Sequence, residues 1–105
     1  MEKLTGIKKK VAIFISGRGS NLKSLVKYSK KKNSKINIIL VISNNSKAKG
    51  LKYAKKNKIK YYAVYYKNLY NFEKKILKLL KKFKIDFICL AGFMKILSKN
   101  FIKKF

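Results

Sequence analysis

Val11-Ala12-Ile13-Phe14-Ile15-Ser16-Gly17-Arg18-Gly19-Ser20-Asn21-Leu22 is the stretch on which the reading of this chain turns. Val11 to Ile15 is a continuous apolar run rich in β-branched side chains, the pattern of a strand buried in a parallel sheet. It breaks off in Ser16-Gly17-Arg18-Gly19-Ser20-Asn21, after which Leu22, Leu25 and Val26 recur at helical spacing. A strand, a glycine loop and a helix start, in that order, aim backbone N–H groups and the positive end of a helix dipole at one point. A phosphate group suits that point. Gly17 and Gly19 can adopt positive φ and let the backbone approach an anion closely. Ser20 and Asn21 suit an N-cap and can donate to phosphate oxygens. The loop is neither G-x-G-x-x-G nor the Walker pattern. On local pattern alone, a tight turn without a ligand therefore stands beside the anion site.

Working outward, the helix is expected over Ser20 to Lys31, followed by a polar connection and a second apolar strand, Ile36 to Ile42. Ser43-Asn44-Asn45-Ser46 carries turn and cap chemistry. A second helix follows over Lys47 to Asn57, with Leu51 and Ala54 inward. Gly50 lowers its helix propensity, which implies close packing against the sheet. Ile59 to Tyr66 reads as an aromatic third strand. Asn68 to Phe83 is a third helix with Phe72, Ile76, Leu79, Leu80 and Phe83 in one apolar stripe. Ile85 to Ala91 is a fourth strand, Gly92 to Ser98 a loop or short turn, and Asn100 to Phe105 the start of a further element.

The order β-α-β-α-β-α-β with continuous apolar strands predicts an α/β fold, a Rossmann-like, doubly wound parallel sheet with helices on both faces. Ligands in such sheets lie outside the carboxyl ends of the strands. The loops after strands one and four share that rim, which favours the anion site over the bare turn.

Composition narrows the chemistry. With 105 residues, 48% of them hydrophobic, the chain suffices for one small domain with a core. Met1 to Lys10 is polar and lysine-rich, unlike a secretory signal. No apolar run approaches the ~20 residues that span a bilayer, so no membrane association is expected. A single cysteine excludes an internal disulfide framework and fits a cytoplasmic location. There is no His, and the acids are Glu2, Glu73 and Asp86 alone, too few for a carboxylate pair or a metal cage. Cys89 sits mid-strand without a companion base and reads as a core residue. Asp86 opens its strand and reads as structural. Tyr61, Tyr62, Tyr65 and Tyr66 could stack on bases, but at strand spacing they read as sheet-packing residues.

The formal net charge is +26, from 28 lysines and one arginine. Ile, Asn, Tyr and Phe are abundant while Pro, His and Trp are absent, the profile of A- and T-rich codons. A surface selected to read nucleic acid keeps several arginines for bidentate contacts. Here the lysines spread along every expected helix and loop. Compositional drift accounts for this better than selected binding, and only non-specific attraction to RNA or DNA at low salt follows from it.

Taken together, Val11 to Leu22, Ile42-Ser43-Asn44 with Ala48, Gly50-Leu51 and Ala54, and Asp86 to Leu90 followed by Ala91-Gly92-Phe93-Met94-Lys95-Ile96-Leu97-Ser98 resemble the N-terminal half of the phosphoribosylglycinamide formyltransferase family. Formyltetrahydrofolate deformylase and methionyl-tRNA formyltransferase share the fold and something like the last motif, but Gly19-Ser20-Asn21-Leu22 favours the former family. The resemblance implies formyl transfer from 10-formyltetrahydrofolate, as cosubstrate, to the amino group of glycinamide ribonucleotide in purine synthesis. It implies no metal. By position, Gly19, Ser20 and Asn21 hold the ribonucleotide phosphate, and Met94, Lys95, Ile96 and Leu97 line the folate pocket. A folate-contacting arginine of the family aligns with Leu69. Lys67 nearby offers a positive charge without the bidentate fork.

The same resemblance divides the chain into a flexible basic extension, 1–9, and the N-terminal part of a formyltransferase domain, 10–105. The family's catalytic Asn, His and Asp follow the Met-Lys-Ile-Leu loop, in a second half that these residues do not include. The expectation is a chain that binds poorly and is inactive alone, with strand four left as an apolar edge prone to aggregation. Two alternatives stand beside it: a non-catalytic truncated remnant, and a basic nucleic-acid-binding protein on a Rossmann-like scaffold.

Overall fold

The strand that opens the glycine loop lies inside the sheet. In the computed structural model, which describes residues 8–95 and 97–105, β1 (Lys9–Ile15) is flanked on both sides in a parallel sheet of order β3-β2-β1-β4. Between the strands run α1 (Ser20–Ser29), β2 (Ile36–Ser43), α2 (Lys49–Lys56), β3 (Lys60–Ala63), α3 (Leu69–Lys82) and β4 (Phe87–Leu90), and α4 (Lys99–Lys104) closes the chain. The doubly wound parallel sheet expected from the strand and helix order is the one observed. The first seven residues of the anticipated extension lie outside the described part. Its last residue, Lys9, is already strand, with its N–H donating to the Lys35 carbonyl at 3.0 Å.

Alternation along β1 builds two cores. Val11, Ile13 and Ile15 face Leu22 and Val26 of α1 and Leu51 and Ala54 of α2. Ala12 and Phe14 face Phe72, Ile76 and Leu80 of α3 and Phe101 of α4. Right-handed crossovers explain the division. The chain moves outward from β1 through β2 to β3 with α1 and α2 on one face. It then returns past β1 to β4, which puts α3 on the other. The reversal falls between β1 and β4, and the crevice that ligands use in such sheets opens there.

Several boundaries differ from expectation for identifiable reasons. β3 ends at Ala63 because its one partner, β2, ends at Ser43, and the last bond runs from the Val64 N–H to the Ser43 carbonyl at 2.8 Å. Tyr65 and Tyr66 therefore lie beyond the strand. Tyr62 and Tyr66 pack on Phe83 and Phe72, with ring centroids 6.0 and 4.8 Å apart, but Tyr61 and Tyr65 are exposed and pack no sheet. β4 is shorter than the apolar run because it pairs only with Val11 to Phe14. Asp86, just before it, accepts the Lys10 N–H at 2.8 Å and donates its own N–H to the Lys10 carbonyl, the structural part expected of it. Cys89 is half-buried against the first core. The unfinished C-terminal element is α4, whose N-cap is Ser98.

Candidate functional site

The rim above β1 and β4 is built from three loops. In the first, Gly19 is the N-cap of α1, with φ +81° and no side chain to cap the helix. Ser20 and Asn21, suited by type to the cap position, instead form the start of α1 and are exposed. The first intrahelical bond runs from the Lys23 N–H to the Gly19 carbonyl at 2.9 Å. The N–H groups of Ser20, Asn21 and Leu22 precede it and have no partner within the helix. The first turn holds no acid to oppose an anion. Two glycines set the position of this turn. A Cβ on Gly19 would lie 2.8 Å from the Gly50 Cα, and one on Gly50 would strike the Ile15 Cδ1. The Gly50 N–H donates to the Gly17 carbonyl at 3.2 Å. The packing against the sheet expected at Gly50 is contact with Ile15 at the end of β1, and α2 also meets the glycine loop there, which was not expected.

The second loop, after β2, supplies Asn44 and Asn45. The Ser43 hydroxyl accepts the Asn45 N–H at 3.0 Å, and the Asn45 Oδ1 accepts the Lys47 N–H at 3.0 Å, so side chains hold this turn in shape. The Asn44 Oδ1 accepts the Ser16 hydroxyl at 2.7 Å, and the Asn45 Nδ2 donates to the Ser16 carbonyl at 3.4 Å.

The third loop follows β4. Gly92 takes φ +77°, and Phe93 turns into the second core, edge-on to Phe14 at 5.4 Å and stacked on Phe72 at 5.9 Å. The Met94 N–H then donates to the Ser16 Oγ at 2.8 Å, while its side chain is 78% exposed. The Lys95 ammonium lies 4.8 Å above the Tyr66 ring. Leu97 packs half-buried on the second core, and Ile96 lies outside the described residues. The far end of the loop is tied down by Glu73, a buried carboxylate on α3. Its two oxygens accept the Ser98 N–H and hydroxyl, both at 2.6 Å.

Of the residues singled out from sequence, Gly19, Ser20 and Asn21 lie on the first loop and Met94, Lys95 and Leu97 on the third. Ser16 links the two. Lys95 and Leu97 also border an apolar groove of about 470 Å³ with Phe87, Leu90, Phe101 and Ile102 on the β4 side. Leu69 does not share that groove. It lines a separate cleft of about 660 Å³ between α3 and α4, with Glu73 and Ser98. Lys67 is exposed beside Tyr65 and Asn71. The organising residues Ser16, Asn44 and Glu73 were not singled out as such from sequence. A lone acid within a lysine-rich helix was the one available signal, and it marked Glu73. Among the described residues, no group of three His, Cys, Asp or Glu side chains could hold a metal ion, and no helix is long and apolar enough to cross a membrane.

The sequence and the fold are similar to those of known proteins. A family described as formyl transferase matches residues 9–105. The human trifunctional purine biosynthetic protein adenosine-3 is 42% identical over 100 residues, covering 92% of this chain and 10% of that protein. The phosphoribosylglycinamide formyltransferase of Haemophilus influenzae is 36% identical over 100 residues, 92% of this chain and 47% of its own length. The crystal structure of phosphoribosylglycinamide formyltransferase from Brucella melitensis superposes with a TM-score of 0.88 at 34% identity, covering 92% of this chain and 52% of that one. The chain thus spans about half the length of these single-activity relatives and a tenth of the trifunctional one.

Proposed function

The chain belongs to the formyl transferase family, and from that premise we propose that it forms the substrate-holding part of a phosphoribosylglycinamide formyltransferase. The reaction is transfer of the formyl group of 10-formyltetrahydrofolate to the amino group of glycinamide ribonucleotide, a step of purine synthesis in the cytoplasm. The amine nitrogen adds to the formyl carbon, the bond from that carbon to the folate nitrogen breaks, and the proton shed by the amine is balanced by one gained at the released folate nitrogen.

Gly19, Ser20 and Asn21 take the ribonucleotide phosphate. The unbonded N–H groups of the first turn of α1 and its freedom from acids support that role. Met94, Lys95, Ile96 and Leu97 take the folate, with an exposed Met94 and an apolar groove bordered by Leu97 in support. The observation that carries the reading is the bond from the Met94 N–H to the Ser16 Oγ, which brings the folate-side loop against the end of the phosphate loop. Two substrates held on adjoining loops are positioned for direct transfer, and positioning of that kind supplies much of the rate of two-substrate reactions.

Asn21→Ala, made in a completed enzyme, tests the assignment. Loss of a donor to a charged phosphate should weaken glycinamide ribonucleotide binding roughly tenfold and leave folate binding nearly unchanged, as read by calorimetric titration of each ligand. Equal loss of both, or of neither, would remove Asn21 from the phosphate site. These 105 residues contain no His, so the imidazole expected to assist proton transfer must come from elsewhere. Accordingly, no formyl transfer is expected from them alone. Nucleic acid is expected to bind only through charge, without sequence preference.

A further inference from the structure

We propose that Ser16 is a positioning residue that couples the phosphate loop to the folate-side loop, so that filling the first orders the second. The proposal rests on the reading of those loops given above and adds a relay between them.

A serine hydroxyl has one hydrogen to give and lone pairs to receive. At Ser16 both are engaged across three loops: the hydrogen goes to the Asn44 Oδ1 at 2.7 Å, and the Met94 N–H comes in at 2.8 Å. Giving the hydrogen away fixes the hydroxyl rotor and leaves a lone pair aimed at Met94. It also polarises the oxygen and makes it a better acceptor. The backbone of Ser16 is held as well, its carbonyl accepting from Asn45 at 3.4 Å. Gly17, the next residue, receives the Gly50 N–H. Any shift of residues 17–19 as they close on a phosphate therefore moves the Ser16 oxygen, and the Met94 amide must follow it or lose its bond. The side chain of Met94 is free of the core, so this bond is the main local restraint on that residue between Phe93, which is packed, and Lys95, which lies on Tyr66.

Amide hydrogen exchange of the full chain, read residue by residue by NMR, tests this without and with ligand. Without ligand, Ser16→Ala should speed exchange at the Met94 amide about fivefold, the loss of one ordinary hydrogen bond. Ser16→Thr, which keeps the hydroxyl, should restore it. Asn44→Ala should also speed exchange at Met94, and the double variant should exchange no faster than Ser16→Ala alone, because the effect of Asn44 passes through the Ser16 hydroxyl. An unchanged Met94 in Asn44→Ala, or additive effects in the double variant, would overturn the relay. A merely structural role for Ser16 predicts additivity.

With glycinamide ribonucleotide added, protection of the Ser20, Asn21 and Leu22 amides reads the phosphate site itself. Slowed exchange at Met94, present in the wild type and absent in Ser16→Ala, reads the coupling. Protection at residues 20–22 with no change at Met94 would overturn the coupling and leave the phosphate site standing. No protection at 20–22 would overturn the phosphate site, and the ligand-free cycle would then decide the relay by itself.

Discussion

An added methyl group separates the two glycines of the glycine loop. On Gly17 an added Cβ meets nothing within 4 Å; on Gly19 it meets the Gly50 Cα at 2.8 Å, in a backbone with φ +81°. Gly19→Ala should therefore cost about 1–3 kcal/mol, and Gly17→Ala less than about 1 kcal/mol, measured as shifts in the urea midpoint. Equal costs would show that the contact between α2 and the loop is loose. The Gly-x-Gly that punctuates the strand implies backbone a side chain would obstruct, and this holds at Gly19 but not at Gly17, which has neither a positive φ nor a close neighbour. Ser16 was not legible in sequence. Its partners Asn44 and Met94 are 28 and 78 residues away, and no local pattern reports a hydrogen bond formed only when three loops meet. Glu73 is a similar case, hidden until the chain returns 25 residues later to present Ser98.

The elements themselves were read in order and type from periodicity, and their errors lie at the ends. α2 and α3 were both expected to run a residue further than they do. Each stops in a Schellman motif: the Lys58 and Ile59 N–H groups bond back to Lys55 and Ala54, and those of Lys84 and Ile85 to Lys81 and Leu80. The residue that turns the chain is Lys58 in one (φ 58°) and Lys84 in the other (φ 54°), where glycine is the usual signal, so the sequence carried no stop sign. Lys84→Gly should remove that strain and raise stability by about 0.5–1 kcal/mol. A thermal midpoint unchanged or lowered would mean that lysine sits there without penalty. The irregularity in β2 was hidden for a different reason. Val11 pairs with Ile38 and Ala12 with Leu40, leaving Ile39 over. Ile38 to Ile42 is apolar without interruption, so the extra residue breaks no visible alternation.

At the scale of the molecule, charge is the dominant feature. Glu73 and Asp86, the acids among the described residues, accept backbone or hydroxyl hydrogens at Ser98 and Lys10. Glu73 is buried and Asp86 stands at the foot of β4. The formal net charge of +26 already counts these carboxylates, and the folded state repels itself. Raising the ionic strength from about 0.01 M to about 0.15 M shortens the screening length from about 30 Å to about 8 Å. The melting temperature should then rise by roughly 5 °C or more, and a flat profile in a salt series of thermal melts would show that the lysines are too dispersed to matter. The one-sided pairing of β4, whose Phe87 and Leu90 are each 54% exposed, also has a consequence in time. When β1 leaves the ribosome, its partner on that side, anchored where Asp86 meets Lys10, is still 76 residues further along. At about 5–20 residues per second, the nascent chain carries a central strand unpaired on one side for roughly 4–15 s, the interval in which a ribosome-associated chaperone has most to shield.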